Sequence, residues 1–505
     1  MALQREMRAN TAVVDELIGW LRTTTPERVM DEAAAKLAAG VAEDDLWAAS
    51  VLTSSRYVNN QAHNLLGFVA HSMVGCEDAR RLAQGQPRRI RYLLLMQTLH
   101  QAVADLHDPC FAPSELLPFW PLHEARVEEN IEWLRRDVRM GEFSRADHRL
   151  VGLNEHLSPQ QIADLVLDIG LEGMVTDDHT IISPTLMLGM IDLVGWERGF
   201  DFMRWAIRYS ASFPCNFTAY DRSMQLAREL GLEEGAPVRE LQPERIQGLC
   251  ERILNADAAM RPQLVAQALV HEGYSPATIV AAAAQTACAM YLMVEPVPHS
   301  DFDAISREVA PIHIGNCLRT LFSALDYMSP RTQALAALQA GSQLERGPMI
   351  LDADFRYVPF THAPSYPFSE DVAALAQYST TDLLDYLRET AAYHDCRQVT
   401  AAVRAFANQG GDSEALIALL TELSCTDQGT LMHNFKHLNS MVIEFRRASL
   451  HQPGNPNNWN YLIQAAKFLT WYCGLTTNAY ERADAALEEH LSLARVAFPG
   501  SIESS

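Results

Sequence analysis

The chain has 505 residues, 48% of them hydrophobic, and a formal net charge of −23. A chain of this length and composition can bury one large core or two smaller ones. The acidic balance argues against nucleic acid and anionic membranes as partners, because both carry negative charge.

Helical periodicity predicts an all-α, multi-helical protein. Apolar residues recur at helical spacing in VDELIGWLRTT near the start of the chain and in YERADAALEEHLSLARVAF near its end. The first twenty or so residues have the pattern of a charged amphipathic helix rather than of a leader peptide. Four Ser-Pro or Thr-Pro pairs are typical of helix starts. They are Thr25-Pro26, Ser158-Pro159, Ser275-Pro276 and Ser329-Pro330.

The most apolar stretch covers residues 279–294 and contains Gln285 and Thr286. It is too short and too polar to span a bilayer, so we predict a buried core helix. The nine cysteines form no Cys-x-x-Cys pair, which indicates reduced thiols in a cytoplasmic protein.

A helix that carries a histidine, an Arg-rich turn and an apolar helix recur in the two halves of the chain. In the first half, LWAASVLTSSRYVNNQAH is predicted as a helix that ends at His63, and RRIRYLLLMQTLHQ follows it. In the second half, PIHIGNCLRTLF carries His313 and is followed by SPRTQALAALQAG. We therefore predict a single all-helical domain, residues 1–505, in which residues 1–240 and 241–505 form two related halves that enclose a central metal site.

Two proline- and aromatic-rich stretches, residues 107–123 and 351–369, interrupt the helical pattern. The simplest interpretation is that both are ordered connections packed on the helices. The functional interpretation is that they wall a hydrophobic pocket and hold a flat substrate by stacking. Their aromatic residues include Phe111, Phe119, Trp120, Phe355, Tyr357, Phe360 and Tyr366.

Several of the 17 histidines lie among apolar neighbours in predicted helices, notably His63, His179, His313 and His433. A lone histidine on an apolar helix face is usually a hydrogen-bonded core residue. Four of them can form a metal site only if the fold brings them together. No Rossmann glycine fingerprint, P-loop, His-Glu-x-x-His, Glu-x-x-His or Gly-x-Ser-x-Gly motif offers a rival chemistry.

His433, Lys436 and His437 lie on one face of one predicted helix, because they are three and four residues apart. Burying a lysine among apolar neighbours is costly unless its charge is paired or removed. A lowered pKa would let the neutral amine react with carbon dioxide, and the resulting carbamate is an anionic oxygen ligand suited to a divalent transition metal. The alternative is a lysine that reaches the surface beside a hydrogen-bonded histidine, and the residues alone favour it.

The chain resembles the questin oxidase-like proteins, large helical enzymes of aromatic polyketide metabolism, and their bacterial relatives. The resemblance covers roughly residues 45–475 and depends on four segments in order. These are AHNLLGFVAHSM with His63, DDHTIISPTLMLGMIDLVGW with His179, PIHIGNCLRTLFSALDYMSPR with His313, and MHNFKHLNSMVIEF with His433 and Lys436. The resemblance implies an Fe(II) ion bound by these four histidines and by a carboxylated lysine, with His433 and Lys436 essential for catalysis.

The resemblance also implies an activity. It predicts a non-haem iron oxygenase of natural-product biosynthesis that uses dioxygen on an aromatic, phenolic or polyketide-like small molecule, by C–C ring cleavage or Baeyer–Villiger-type oxidation. The chain departs from many bacterial relatives at Thr180, where they have lysine. His71 and His437 are additional histidines that could orient or replace a ligand. Asp178 and Asp427 are the nearest carboxylates by sequence for orienting a ligand histidine.

Other functions remain open at this point. Zinc, manganese or nickel in the same site would support hydrolysis. A non-enzymatic helical scaffold would instead bind partners on a concave surface. Because of Thr180, a third alternative is that the chain is a family member that kept the fold and lost the metal.

Overall fold

The computed structural model describes most of the chain. The described residues are 3, 8–59, 70–111, 114–118, 120–212, 215–293, 302–345, 350–351, 357–358, 365–392, 395–426, 432–470 and 478–493. Over these residues the protein is all-α, as predicted, apart from one pair of two-residue strands.

The N-terminal part of the chain carries helices α1 to α9. They are α1 (Thr11–Leu21), α2 (Val29–Ala38), α3 (Glu43–Tyr57), α4 (His71–Ala83), α5 (Arg88–His107), α6 (Val127–Arg139), α7 (Phe143–Asn154), α8 (Pro159–Gly173) and α9 (His179–Leu188). The middle of the chain carries α10 (Ile191–Ser212), α11 (Thr218–Glu229), α12 (Pro243–Leu254), α13 (Arg261–His271), α14 (Pro276–Leu292), α15 (Phe302–Ala324) and α16 (Pro330–Glu345).

A short antiparallel pair and seven helices complete the described chain. Strand β1 (Ile350–Leu351) pairs with β2 (Tyr357–Val358). The helices are α17 (Ser369–Ala374), α18 (Thr380–Ala392), α19 (Cys396–Asn408), α20 (Ser413–Ser424), α21 (His433–His451), α22 (Asn460–Leu469) and α23 (Asn478–Leu491).

Three of the four predicted Ser-Pro or Thr-Pro helix starts are confirmed, because α8, α14 and α16 each begin at the proline. At α8, Ser158 and Gln161 exchange side-chain and backbone hydrogen bonds and form a capping box. The fourth prediction is wrong. Thr25 lies in a turn closed by the Arg28 N–H, and α2 begins only at Val29.

Residues 279–292 of the apolar stretch lie in α14, which ends at Leu292, and the helix is buried along nearly its whole length, which confirms the predicted core helix. Within the described ranges, no helix combines the length and the apolar character that crossing a membrane requires. All the cysteines that the structure describes are free thiols.

Helices from the two halves of the chain pack directly on one another. Helix α2 packs on α23, α4 on α21, and α9 on α15. A hydrophobic core that includes residues from Leu3 to Leu487 connects these helices. The four helices α4, α9, α15 and α21 surround the candidate site described below, whereas the proposed relation between the two halves stays a prediction.

Two local predictions need correction. Helix α3 ends at Tyr57, before its predicted end at His63, because Val58 adopts extended backbone with φ −109° and ψ 122°. His63 itself lies outside the described residues. Trp120 does not pack on the helices, since 79% of its surface is exposed.

Two other rings of the aromatic-rich stretches, those of Phe111 and Tyr366, are buried. The remaining predicted rings lie outside the described residues. They are Phe119, Phe355, Phe360 and the side chain of Tyr357.

Candidate metal centre

Four helices bring four histidines together in the interior. His71, His179 and His433 are the first residues of α4, α9 and α21, and His313 lies within α15. Three helices therefore begin at the cluster, and the positive ends of their dipoles favour negative groups there.

Carboxylates accept hydrogen bonds from N–H groups at the starts of α4 and α9. The N–H of His179 donates to Asp177 Oδ1 at 3.1 Å, which turns the chain into α9. The N–H of Ser72, the second residue of α4, donates to Asp105 Oδ2 at 3.1 Å. Met432, immediately before α21, adopts the left-handed backbone conformation with φ 65°, which residues other than glycine rarely adopt.

The imidazole rings are close enough to share one ion. His313 Nε2 and His433 Nε2 are 2.8 Å apart. The ring centroids of His71 and His433 are 4.6 Å apart, and those of His179 and His313 are 4.9 Å apart. One ligand nitrogen from each of His71, His179 and His433 lies within 4.8 Å of the other two.

Lys436 lies one helical turn after His433 and is only 1% exposed. Its Nζ is 3.4 Å from His179 Nε2. Burial lowers the pKa of Lys436 from 10.5 to about 8, although the carboxylates of Asp178, Asp78 and Asp177 oppose this effect. The lysine therefore does not reach the surface, and it contacts the cluster.

Two adjacent carboxylates set the orientation of two rings. Asp177 Oδ1 is 3.1 Å from His179 Nδ1, and Asp177 Oδ2 accepts a hydrogen bond of 2.5 Å from the Tyr209 hydroxyl. The oxygens of Asp178 are 3.1 and 3.2 Å from His313 Nδ1. With a proton on each Nδ1, the Nε2 lone pairs of both rings point toward the cluster, as metal ligation requires.

The surroundings of His313 lower its pKa below the ordinary 6.5 and so favour the neutral imidazole. Burial lowers the pKa of His313 most strongly, Asp178 raises it, and the charges of Lys436 and His179 lower it further. A neutral imidazole is the form that binds metals.

The charge of a third buried carboxylate, that of Asp78, raises the pKa of Lys436. Asp78 Oδ1 accepts hydrogen bonds from Asn439 Nδ2 at 2.6 Å and from Arg319 Nη2 at 3.4 Å. Burial raises the pKa of Asp78, while Arg319, Asn439 and Lys436 oppose this effect. The site thus combines buried positive and negative groups, which requires close pairing in a medium of low dielectric constant.

The structure brings together four of the five predicted ligands: His179, His313, His433 and Lys436. The fifth, His63, lies outside the described residues. His71, noted in the sequence only as an additional histidine, lies inside the cluster.

His437 points elsewhere, although it is also buried on α21. Its Nδ1 is 3.1 Å from Asn316 Oδ1, and its ring packs edge-on against Phe468 at 5.0 Å between centroids. Burial lowers the pKa of His437 to about 3. Among the described residues, His437 therefore contacts the core and not the histidine cluster.

Sequence reasoning missed Asp177 and named only Asp178 and Asp427 as orienting carboxylates. Asp427 lies outside the described residues, and Asp178 contacts the distant His313 as well as the nearby His179. The signal for Asp177 was present, since two adjacent aspartates immediately precede His179. The conformation of the turn into α9 determines that Asp177 faces the His179 ring and that Asp178 faces the His313 ring.

A small surface cleft lies beside Tyr209. Tyr209 lines the cleft and also donates to Asp177, which holds His179. The ring of Trp205 stacks on that of Tyr209 with 5.5 Å between centroids and 4° between planes, and Arg208 lines the same cleft.

Comparison with known proteins gave no match: no family model, no curated protein and no solved structure is similar to the chain. The resemblance to the questin oxidase-like proteins therefore stays a prediction.

Proposed function

We propose that this protein is a metal-dependent oxidoreductase, a non-haem iron oxygenase whose ion is held by the buried histidine cluster and Lys436. The observation that carries the proposal is the cluster of His71, His179, His313 and His433 in the interior, with a buried lysine amine beside it. The oxygenase activity and the aromatic or polyketide-like substrate come from the family resemblance. His63 stays a predicted ligand outside the described residues.

The distances between donor atoms suit a shared ion. Metal–nitrogen bonds to imidazole are about 2.0–2.1 Å long, so two ligands at right angles are about 3 Å apart. The 2.8 Å between His313 Nε2 and His433 Nε2 is close to this value. Imidazole nitrogen and an anionic oxygen are ligands suited to iron, zinc and similar divalent ions.

The lowered pKa of Lys436 supports carboxylation of its amine. With a pKa of about 8, roughly one amine in ten is neutral at pH 7, against roughly one in three thousand at the ordinary 10.5. Only the neutral amine attacks carbon dioxide. The reaction joins Nζ to the carbon and releases a proton.

The charge balance of the site also supports an ion with a carbamate. A lysine ammonium carries one positive charge, and a carbamate with a divalent ion carries the same net charge. The buried carboxylates of Asp78, Asp177 and Asp178 are therefore balanced by the same positive charge whether Lys436 is a free ammonium or a carbamate bound to a divalent ion. A carbamate without an ion would instead add a negative charge beside three carboxylates, which is strongly unfavourable.

Ferrous iron held by these residues would bind dioxygen and supply the electron transfer that oxidation requires. The residues of the chain prepare that chemistry. Asp177 and Asp178 fix the imidazole tautomers, and Tyr209 fixes Asp177.

The same donor set would also bind zinc or manganese, and a hydrolase is therefore the second candidate function. Oxygen uptake separates the two. Protein loaded with ferrous iron under anaerobic conditions is mixed with a panel of polyphenols and exposed to dioxygen in an electrode chamber. We expect uptake that depends on the substrate, on iron and on His433.

The matched control for His433→Ala is His437→Ala, a change to a buried histidine one turn further along α21 that contacts Asn316 instead of the cluster. Lys436→Ala should also abolish uptake, and short carboxylic acids should restore part of it by replacing the carbamate. Equal uptake by wild type and by His433→Ala would contradict the proposal. Zinc-dependent hydrolysis without oxygen uptake would favour the second candidate.

A further inference from the structure

A second group of metal-binding side chains lies on the surface of the protein. His123, Glu155 and His156 are all exposed, and one ligand atom from each lies within 4.8 Å of the other two. His123 Nε2 is 3.2 Å from Glu155 Oε2. The rings of His123 and His156 are 5.5 Å apart between centroids and inclined by 67°. None of these residues belongs to the buried cluster.

Two of these donors are fixed by the end of a helix. Glu155 and His156 directly follow α7, and their N–H groups donate to the carbonyls of Gly152 at 3.3 Å and Leu153 at 3.0 Å. The carbonyl end of a helix carries partial negative charge, and it therefore attracts a cation. This end of α7 is thus electrostatically suited to a metal ion.

The third donor comes from a different part of the chain that packs closely on α7. The Leu122 N–H donates to the His148 carbonyl at 3.0 Å, and the Leu122 carbonyl accepts from Asn130 Nδ2 at 3.1 Å. A Cβ atom on Gly152 would lie 2.4 Å from the Leu122 carbonyl oxygen, so only glycine permits this approach. His123 is therefore held against the end of α7 before any ion binds.

We propose that His123, Glu155 and His156 bind one divalent ion of the zinc class, which ties residues 120–126 to the end of α7. Two imidazoles and one carboxylate are a donor set that zinc uses, with the fourth position left to water. The simpler arrangement is an ion pair between protonated His123 and Glu155, but an exposed pair of this kind contributes little. It also gives no role to the second imidazole, which lies beside the pair.

The ion would act on the segment that leads to the surface cleft. Residues 120–126 continue the chain from Glu115 and Leu116, which line the cleft together with Tyr209. Trp120 is anchored by the His148 ring, whose Nδ1 donates to the Trp120 carbonyl at 2.6 Å. An ion at His123 would fix the middle of this segment, and hydrogen exchange at residues 120–126 should slow when zinc binds.

The test is the zinc stoichiometry of the full-length protein by equilibrium dialysis. The double variant His123→Ala and His156→Ala should bind one equivalent less than wild type, while the buried cluster keeps its own metal. Each single variant should weaken the surface site at least tenfold. All three side chains are exposed, so the variants should keep the fold, which circular dichroism checks.

The matched control is His490→Ala. His490 Nε2 also pairs with a surface carboxylate, Asp31 Oδ1, at 2.8 Å, but its neighbours are carboxylates and not a second imidazole. It should keep the wild-type stoichiometry and the zinc-dependent slowing of exchange. An unchanged stoichiometry in the double variant, or zinc-dependent slowing of exchange at residues 120–126 that persists in it, would overturn the proposal.

Discussion

Replacing Lys436 by methionine tests the electrostatics of the buried site most sharply. Methionine keeps the length of the side chain but carries no charge. A change of one in pKa corresponds to about 1.4 kcal/mol, so the fall from 10.5 to about 8 means that the buried ammonium destabilises the fold by about 3 kcal/mol relative to the neutral amine. The metal-free Lys436→Met variant should therefore be more stable than wild type at pH 7.

The difference should depend on pH in a definite direction. Between pH 8 and 10.5 the unfolded lysine holds its proton and the folded one has lost it, so the free energy of unfolding of wild type rises with pH. The advantage of Lys436→Met should shrink from about 3 kcal/mol at pH 7 to near zero above pH 10.5.

The assay is equilibrium urea unfolding of both proteins at a series of pH values, with a chelator and without bicarbonate. The chelator removes the metal, and the absence of bicarbonate prevents carboxylation of the amine. A difference that stays constant between pH 7 and 10.5 would refute the reasoning, and so would a wild type that is the more stable protein at pH 7.

Two further substitutions test the supports of the site. Asp177→Asn removes the carboxylate that orients the His179 ring and should lower metal affinity roughly 10- to 100-fold in a competition titration, with helicity unchanged. Gly170→Ala places a Cβ 2.4 Å from the Thr180 carbonyl oxygen and should cost about 1–3 kcal/mol in the free energy of unfolding. Gly248→Ala is its control, because nothing lies within 4 Å of that Cβ, and it should be neutral or slightly stabilising. Wild-type metal affinity in Asp177→Asn, or equal effects of the two glycine substitutions, would contradict these predictions.

The fold class could be predicted from the sequence because helical periodicity is a local property. The buried helix α14 and the starts of α8, α14 and α16 follow from apolar runs and from Ser-Pro pairs. The start of α2 could not be predicted in the same way, because a turn after Thr25 delays the helix to Val29. That turn depends on bonds that no pattern in the sequence reveals.

The candidate site could be predicted only in part. His179, His313, His433 and Lys436 were identifiable from their apolar settings and from the resemblance. His71 was not distinguished, because a histidine at the start of a helix is common and only the packing of α4 on α21 brings it to His433.

The surface group was also not identifiable from the sequence. His123 is far in the chain from Glu155 and His156, and the close approach at Gly152 brings it to them. Trp120 is a prediction that is wrong, because the aromatic-rich pattern predicts a ring packed on the helices and the ring is exposed.

The most direct test of the central claim is the metal content of freshly purified, untagged protein, measured by elemental analysis beside His313→Ala. We expect about one iron per chain in the wild type and its loss in the variant, because His313 Nε2 lies 2.8 Å from His433 Nε2 within the cluster. Stoichiometric zinc at the cluster would favour hydrolysis over oxygenation. Iron-free protein from cells grown with ample iron, or iron retained at the wild-type level in His313→Ala, would contradict the claim.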